Sequence, residues 1–183
     1  METEKENAEK KIEIAPATAE EVRGVAEVFY KTWLATYPNE EVGITTDDIE
    51  DKFKDSFTEE DLKKRAEKIK NTNDGKMLLA KEGDRVVGLV RLTFHPDKNQ
   101  LQAIYVLPEY QGRGVGKMLW AAAQKLFDPT KDTIVQVATY NMPAIEFYKK
   151  LGFVDTGKRW SDEKFRMKSG AVIPEMEMIL KAK

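Results

Sequence analysis

The segment at residues 104–118, IYVLPEYQGRGVGKM, carries three alternate glycines between a predicted strand and a predicted helix. Glycine permits positive φ angles and lets a ligand approach the backbone closely. At the start of a helix, the free N–H groups and the positive end of the helix dipole can bind a phosphate. Arg113 and Lys117 add positive charge at the start of this predicted helix. The same glycines could instead only turn the chain into the helix, so the spacing alone predicts a phosphate site without naming its ligand.

Two common phosphate-binding motifs do not fit this loop. A nucleotide P-loop requires four residues between its glycines and a hydroxyl residue after the Lys, whereas three residues separate Gly112 from Gly116 and Met118 follows Lys117. A dinucleotide fingerprint requires its third glycine one residue later, and its acidic residue follows a strand, whereas Asp132 precedes one. Both mismatches argue against a phosphate-binding module of the nucleotide type.

Two motifs in the chain resemble those of one known family. Residues 111–116, QGRGVG, match the pattern Q-x-x-G-x-G, which is similar to the pyrophosphate-binding signature of the GCN5-related N-acetyltransferases. This family moves an acetyl group from acetyl-CoA to an amine. Residues 141–153, NMPAIEFYKKLGF, resemble its second signature, N-x-x-A-x-x-F-Y-x-x-x-G-F. The two motifs occur in the family's order and the resemblance covers residues 104–153.

The resemblance implies how acetyl-CoA would bind. The pantetheine arm would enter a slot between the fourth and fifth strands and pair with the backbone of Ile104 and Val106, and the Val106 N–H would polarise the thioester carbonyl. The amides of residues 111–116 would hold the pyrophosphate, and Asn141 would reach the pantetheine arm. The implied cofactor-binding residues are Ile104, Tyr105, Val106, Gln111, Gly112, Arg113, Gly114, Val115, Gly116, Lys117, Asn141, Ala144 and Tyr148.

The resemblance also implies a general acid, Tyr148, while Val106 is the other catalytic candidate. A phenol with a pKa of about 10 can protonate the leaving CoA thiolate. Tyr148 lies on a short amphipathic helix, however, so core packing is the competing interpretation of the same residue.

The general base stays open. Many family members resemble E-L-x-x-I-Y-V in the fourth strand, but Gln100 stands at the position of the Glu, and an amide is no useful base. Glu109, His95, a chain of waters or an amine that arrives neutral are the alternatives. Since the usual carboxylate is missing, a non-catalytic acyl-CoA-binding sensor remains the alternative to an enzyme.

The sequence gives the fewest indications of which residues form the acceptor pocket. Trp33 and Tyr37, followed by Asn39-Glu40-Glu41, form an aromatic and acidic cluster suited to a cationic amine, although Trp33 also continues an apolar helical face. Trp160 and Phe165 are weaker candidates. The expected acceptor is a small amine, a polyamine, an amino acid or a protein N-terminus.

Composition excludes several other classes of function. The 183 residues include 30 Lys and Arg against 32 Asp and Glu, so the chain lacks the basic excess of most nucleic-acid-binding domains. It has no Cys and one His, which excludes thiolate and multi-imidazole metal sites, and we expect no metal. Without a long apolar segment, we expect no membrane association, a cytoplasmic location, and a monomer or homodimer.

The order of predicted elements defines the fold class. Residues 1–11 read as a disordered charged tail, and residues 12–183 as a single acetyltransferase domain. A first strand, three helices, a run of antiparallel strands and then strand–loop–helix units predict an α/β protein of the α+β type. The resemblance implies a mixed, mostly antiparallel sheet flanked by helices, with a splayed V between the fourth and fifth strands.

Overall fold

The computed structural model describes residues 11–71, 75–161 and 163–182. Its seven strands form one sheet in the order β1-β2-β3-β4-β5-β7-β6, and every neighbouring pair is antiparallel except β4 with β5. The predicted mixed, mostly antiparallel sheet is thus confirmed. The predicted tail lies outside the described residues except for Lys11. The strands are β1 (Ile12–Pro16), β2 (Gly75–Glu82), β3 (Arg85–Phe94), β4 (Asn99–Val106), β5 (Thr133–Ala138), β6 (Val154–Ser161) and β7 (Pro174–Leu180).

Capping residues set where the helices begin. The sequence places Thr18 and Glu21 at the spacing of a capping box, and they form this box at a short 3-10 turn before the first helix. For the second helix the sequence suggests Thr46 or Asp47 as the cap, which is wrong: Thr45 caps it, because its hydroxyl accepts from the Asp48 N–H while the Asp48 carboxylate accepts from the Thr45 N–H. The helices of the described residues are α1 (Val22–Thr36), α2 (Thr46–Phe53), α3 (Glu59–Lys70), α4 (Val115–Gln124) and α5 (Met142–Lys150).

Two apolar clusters hold the helices on the sheet. The larger one joins α1, α4 and α5 to the central strands, with Val28, Leu89 and Leu119 fully buried in it. The smaller one joins α2 to the segment between β6 and β7, through residues that include Ile49 and Ile173. No helix of the described residues has the length and apolar character needed to cross a bilayer.

The sheet opens between β4 and β5. The two strands pair over three positions only, from Asn99 with Thr133 to Leu101 with Val135. Beyond Leu101, β4 stays paired with β3 while β5 stays paired with β7, and the register of β3 and β4 shifts so that Gln102 is an extra residue. A bulge bends and twists its strand, so the strands diverge and leave the predicted V-shaped slot.

Candidate active site

A cavity of about 910 Å³ occupies the opening between β4 and β5. We distinguish two halves of it. The glycine-loop half is lined by residues from the ranges 104–117 and 141–148, and the aromatic half by residues from the range 29–37, by Arg91, and by residues from the range 160–175. Residues of both predicted motifs and the predicted acceptor residues therefore line one cavity.

The glycine loop leaves the N-terminus of α4 uncovered. Gly112 and Gly114 have φ angles of 76° and 83°, and a Cβ added to either would meet no atom within 4 Å. Gly114 is the N-cap of α4 and supplies no side chain to the helix N–H groups. These groups therefore face open space, as an anion-binding helix start requires.

Gly116 has a different role from the two glycines before it. A Cβ at this position would lie 3.4 Å from the ring of Phe147 on α5 and 4.0 Å from the Ile104 side chain. The missing side chain thus lets α4 lie close to α5 and β4, across the entrance to the slot.

The side chains of the loop divide between the cavity and the outer surface. Gln111 donates from Nε2 to the Val106 carbonyl at 3.1 Å, which ties the loop to the end of β4. Arg113 forms an ion pair with Glu82 at 3.3 Å and stacks over Tyr110, so its guanidinium does not line the cavity. Lys117 does line it. Of the two predicted cations, only Lys117 lines the cavity.

The backbone of β4 and the start of α5 form the walls of the slot. Ile104, Tyr105 and Val106 line the cavity, along the part of β4 that has no pairing to β5. Asn141 caps α5 by accepting the Ala144 N–H at 3.2 Å, and its NH₂ group makes no hydrogen bond within the described residues. This amide is available to a ligand, as the resemblance implies.

Tyr148 has features of both roles considered from the sequence, core packing and a place in the site. Its ring packs in the core, 5.6 Å from that of Phe153, and the residue is 5% exposed, yet it also lines the cavity. Burial raises the pKa of Tyr148 far above its usual value, and the nearby Tyr105 adds to the rise. The hydroxyl therefore stays protonated at neutral pH.

Aromatic residues form most of the other half. The rings of Trp33 and Tyr37 lie 4.3 Å apart, and the Tyr37 hydroxyl is 3.4 Å from that of Tyr105. Tyr140 donates to the Tyr37 carbonyl at 2.9 Å. Trp160 and Phe165 line the same half. The structure thus brings together all four aromatic residues proposed from the sequence, and adds Tyr140.

A buried carboxylate fixes the segment that carries Phe165. Asp48 on α2 accepts from the Ser169 N–H at 2.7 Å and from the Ser169 hydroxyl at 2.9 Å. Burial alone would raise the pKa of Asp48, but the hydrogen bonds from Thr45 and Ser169 outweigh it and lower that pKa to about 2. The charged form of Asp48 therefore holds this wall of the aromatic half in place.

The base candidates taken from the sequence lie elsewhere. His95 and Gln100 are hydrogen-bonded to each other at 2.9 Å, and Glu109 pairs with Arg85 at 2.7 Å; none of the three lines the cavity. Glu175 on β7 is the one carboxylate among the described lining residues. Sequence reasoning missed it, although the alternation of β7 placed Glu175 on the less apolar face of that strand.

The described residues offer no metal centre, since no group of three or more His, Asp and Glu side chains is placed to hold an ion.

Comparison with known proteins identifies the family. The acetyltransferase (GNAT) family model matches residues 46–153. A spermidine N(1)-acetyltransferase of Thermoplasma acidophilum is 27% identical over 147 residues, covering 78% of this chain and 88% of the relative. A peptidyl-lysine N-acetyltransferase, YjaB of Salmonella typhimurium, is 34% identical over 80 residues, covering 44% of this chain and 50% of the relative.

A solved structure shares the fold. The PaiA N-acetyltransferase of Thermoplasma acidophilum, in complex with coenzyme A, superposes with a TM-score of 0.65 at 24% identity, covering 90% of this chain and 98% of that one. The resemblance predicted from residues 111–116 and 141–153 is confirmed, because the matched region contains both motifs and extends over more than half of the sequence. The chain belongs to the acetyltransferase (GNAT) family of enzymes.

Proposed function

We propose that the protein transfers an acetyl group from acetyl-CoA to a primary amine by direct attack in a ternary complex. The observation that carries this proposal is one continuous cavity whose lining includes the uncovered start of α4, Tyr148, and Glu175 together with several aromatic rings. A donor and an acceptor can thus occupy the slot together, without a covalent intermediate on the protein.

The glycine-loop half would bind the cofactor. The amides between Gly112 and Gly116 would take the pyrophosphate, and Lys117 would add its charge. The open edge of β4 supplies main-chain groups for the pantetheine amides, and the Asn141 NH₂ supplies a further donor. The Val106 N–H would stabilise the negative charge that develops on the thioester oxygen.

The reaction needs three proton transfers when the acceptor arrives as an ammonium ion. Glu175, whose charge would attract the ammonium group into the aromatic half, would take the first proton, directly or through water. The neutral amine nitrogen would then bond to the acetyl carbon and lose its second proton to water, while the carbon–sulfur bond breaks. Tyr148, which is protonated at neutral pH, would give a proton to the leaving thiolate and regain one from water.

The amine class is supported by both the site and a relative. The ring of Tyr37 provides a π face that favours a cationic group, and Glu175 provides a negative charge that acts on Tyr37. The Thermoplasma acidophilum relative is named for acetylating spermidine, also a primary amine.

Binding and turnover test this proposal separately. Acetyl-CoA at about 100 times its Kd should stabilise the fold by roughly 2.7 kcal/mol, and ATP should not. Release of free thiol should depend on an added amine. Glu175→Gln should slow this release about 100-fold, the usual order for general acid–base catalysis.

Glu177→Gln is the matched control, because Glu177 lies two residues along the same strand, pairs with Lys158 at 2.9 Å and does not line the cavity. Stabilisation by ATP rather than acetyl-CoA would contradict the proposal. Acetyl-CoA binding without thiol release across a broad amine panel would favour the non-catalytic acyl-CoA sensor.

A further inference from the structure

The aromatic half contains polar groups with no partner. The Trp33 Nε1 and the Thr32 Oγ1 are buried, and neither makes a hydrogen bond within the described residues. Both residues line the cavity. A buried donor without an acceptor is costly, so these groups mark a place where a ligand oxygen can complete the bonding.

Arg91 is a third unpartnered donor in this half. It lies on β3 opposite Ala103, lines the cavity, and forms no ion pair or side-chain hydrogen bond within the described chain. Burial raises the pKa of the Tyr105 hydroxyl, while the Trp33 nitrogen and the positive charge of Arg91 act in the opposite direction. Tyr105, Trp33 and Arg91 all line the cavity, so both donors belong to the same binding space.

A second cation lies against two rings that line the cavity. The Lys52 Nζ lies 5.0 Å from the centroid of the Trp33 ring and 5.3 Å from that of Phe165, and it has no carboxylate partner among the described residues. Glu175 is the one carboxylate among the described lining residues. A polyamine, which carries only positive charges, would be repelled by Arg91 in the lining and by Lys52 beside the rings, whereas a molecule with both an amine and a carboxylate complements Glu175 and Arg91 together.

We propose that the amine acceptor also carries a carboxylate, and that Arg91 and the Trp33 N–H bind this carboxylate while the amine faces Glu175. Arginine suits the role, because its planar fork matches the two oxygens of a carboxylate. The acceptor class is then a free amino acid, which fits a half walled by Trp160 and Phe165 and closed by the Asp48–Ser169 contact. This inference rests on the proposed amine acetylation.

Matched acceptors test it. A series of ω-amino acids of increasing chain length is compared with the alkylamines that lack the carboxylate, with spermidine, and with lysine in an end-blocked peptide. The best ω-amino acid should exceed its alkylamine at least about tenfold in kcat/KM, the order expected for one charge-assisted contact. Preference for the alkylamines, for spermidine or for the blocked peptide would overturn the proposal.

Substitutions test whether Arg91 and Trp33 cause the preference for an acceptor with a carboxylate. Arg91→Gln should raise the KM for the amino acid about tenfold more than that for the alkylamine, with kcat affected little. Arg91→Lys should recover part of the preference, and Trp33→Phe should reduce it while keeping the ring. Arg23→Gln, which removes an exposed arginine of α1 outside the cavity, is the control and should leave the preference intact. An equal loss for both acceptors in Arg91→Gln would contradict the assignment.

A binding measurement keeps the test independent of turnover. In the CoA-loaded protein, the ω-amino acid should raise the melting temperature of the parent more than the alkylamine does, and Arg91→Gln should abolish the difference. If no amine releases thiol, the proposed function fails, while this shift still decides whether the carboxylate site exists. Equal shifts from both acceptors would refute the site.

Discussion

The two halves of the cavity are built in different ways. The glycine-loop half offers mainly backbone groups from two short stretches, a loop with positive φ angles at Gly112 and Gly114 and the open edge of β4. The aromatic half offers side chains from α1, from β3, from Tyr140 just before α5, and from the stretch between Trp160 on β6 and Glu175 on β7. A phosphate and a pantetheine arm can be bound by local backbone geometry, whereas recognition of a particular amine requires side chains brought together from distant parts of the chain.

The largest effect should come from a side chain that blocks the backbone N–H groups at the start of α4. In Gly114→Val the added side chain would project into the open space above α4, block the helix N–H groups and weaken acetyl-CoA binding about 1000-fold, as expected when two charge-assisted hydrogen bonds are lost. Isothermal titration measures this loss.

Gly157→Val is the matched control, since Gly157 has a φ of 82° and equally open surroundings but does not line the cavity. The two variants should lose similar stability, because both force a branched residue into the left-handed region. Normal acetyl-CoA affinity in a folded Gly114→Val protein would show that the loop does not hold the pyrophosphate.

Tyr148 lies where the halves meet, and its hydroxyl should affect the rate alone. Tyr148→Phe keeps the buried ring and should lower kcat about 100-fold with little change in acetyl-CoA affinity. Because burial raises its pKa, the parent enzyme should keep its acid protonated up to at least pH ~10.

Tyr30→Phe removes a hydroxyl from a ring packed 5.7 Å from Phe53, outside the cavity, and should leave kcat unchanged. If Tyr148→Phe is as active as the parent, Tyr148 serves packing only.

Asp48 tests whether the aromatic half depends on tertiary contacts. Its pKa is lowered from 3.8 to about 2 in the folded protein, so its contribution is present above pH ~4 and is lost as the pH falls towards 2. The shift corresponds to about 2 kcal/mol of folding free energy. Asp48→Asn should remove this part of the pH dependence and raise the KM for the amine, while acetyl-CoA affinity stays unchanged.

Asp155 provides the comparison for Asp48, because its pKa is also lowered to about 2, chiefly by a hydrogen bond from Arg159. This pair is exposed and water screens it, so Asp155→Asn should change stability and acceptor KM little. An equal loss of acceptor and cofactor binding in Asp48→Asn would mean that the halves are not independent.

The smallest effect should come from Arg113, the loop cation that points away from the slot. Arg113→Gln breaks only the partly exposed pair with Glu82, and acetyl-CoA affinity should fall less than about fivefold. Lys117→Gln, which removes the cation lining the cavity, should weaken binding more in the same titration. The reverse order would place Arg113 on the cofactor.

The amino-acid sequence by itself determined most of the sheet and the glycine-loop half. The order of the elements, a first strand, three helices, a run of antiparallel strands and then strand–loop–helix units, followed from the spacing of apolar residues and from the turn residues between them. Residues 111–116 and 141–153 predicted the family, because backbone binding depends on glycines and caps that lie close together in the chain.

Only the tertiary structure decided what the aromatic half contains. Glu175, Arg91 and Asp48 look like ordinary charged residues among the 34% of the chain that is charged. Insertion of β7 between β5 and β6 places Glu175 at the cavity, the register of β3 with β4 places Arg91 there, and the Ser169 contact gives Asp48 its role. Such residues meet through long-range pairing, which local spacing does not encode, whereas the glycine loop carries its own geometry.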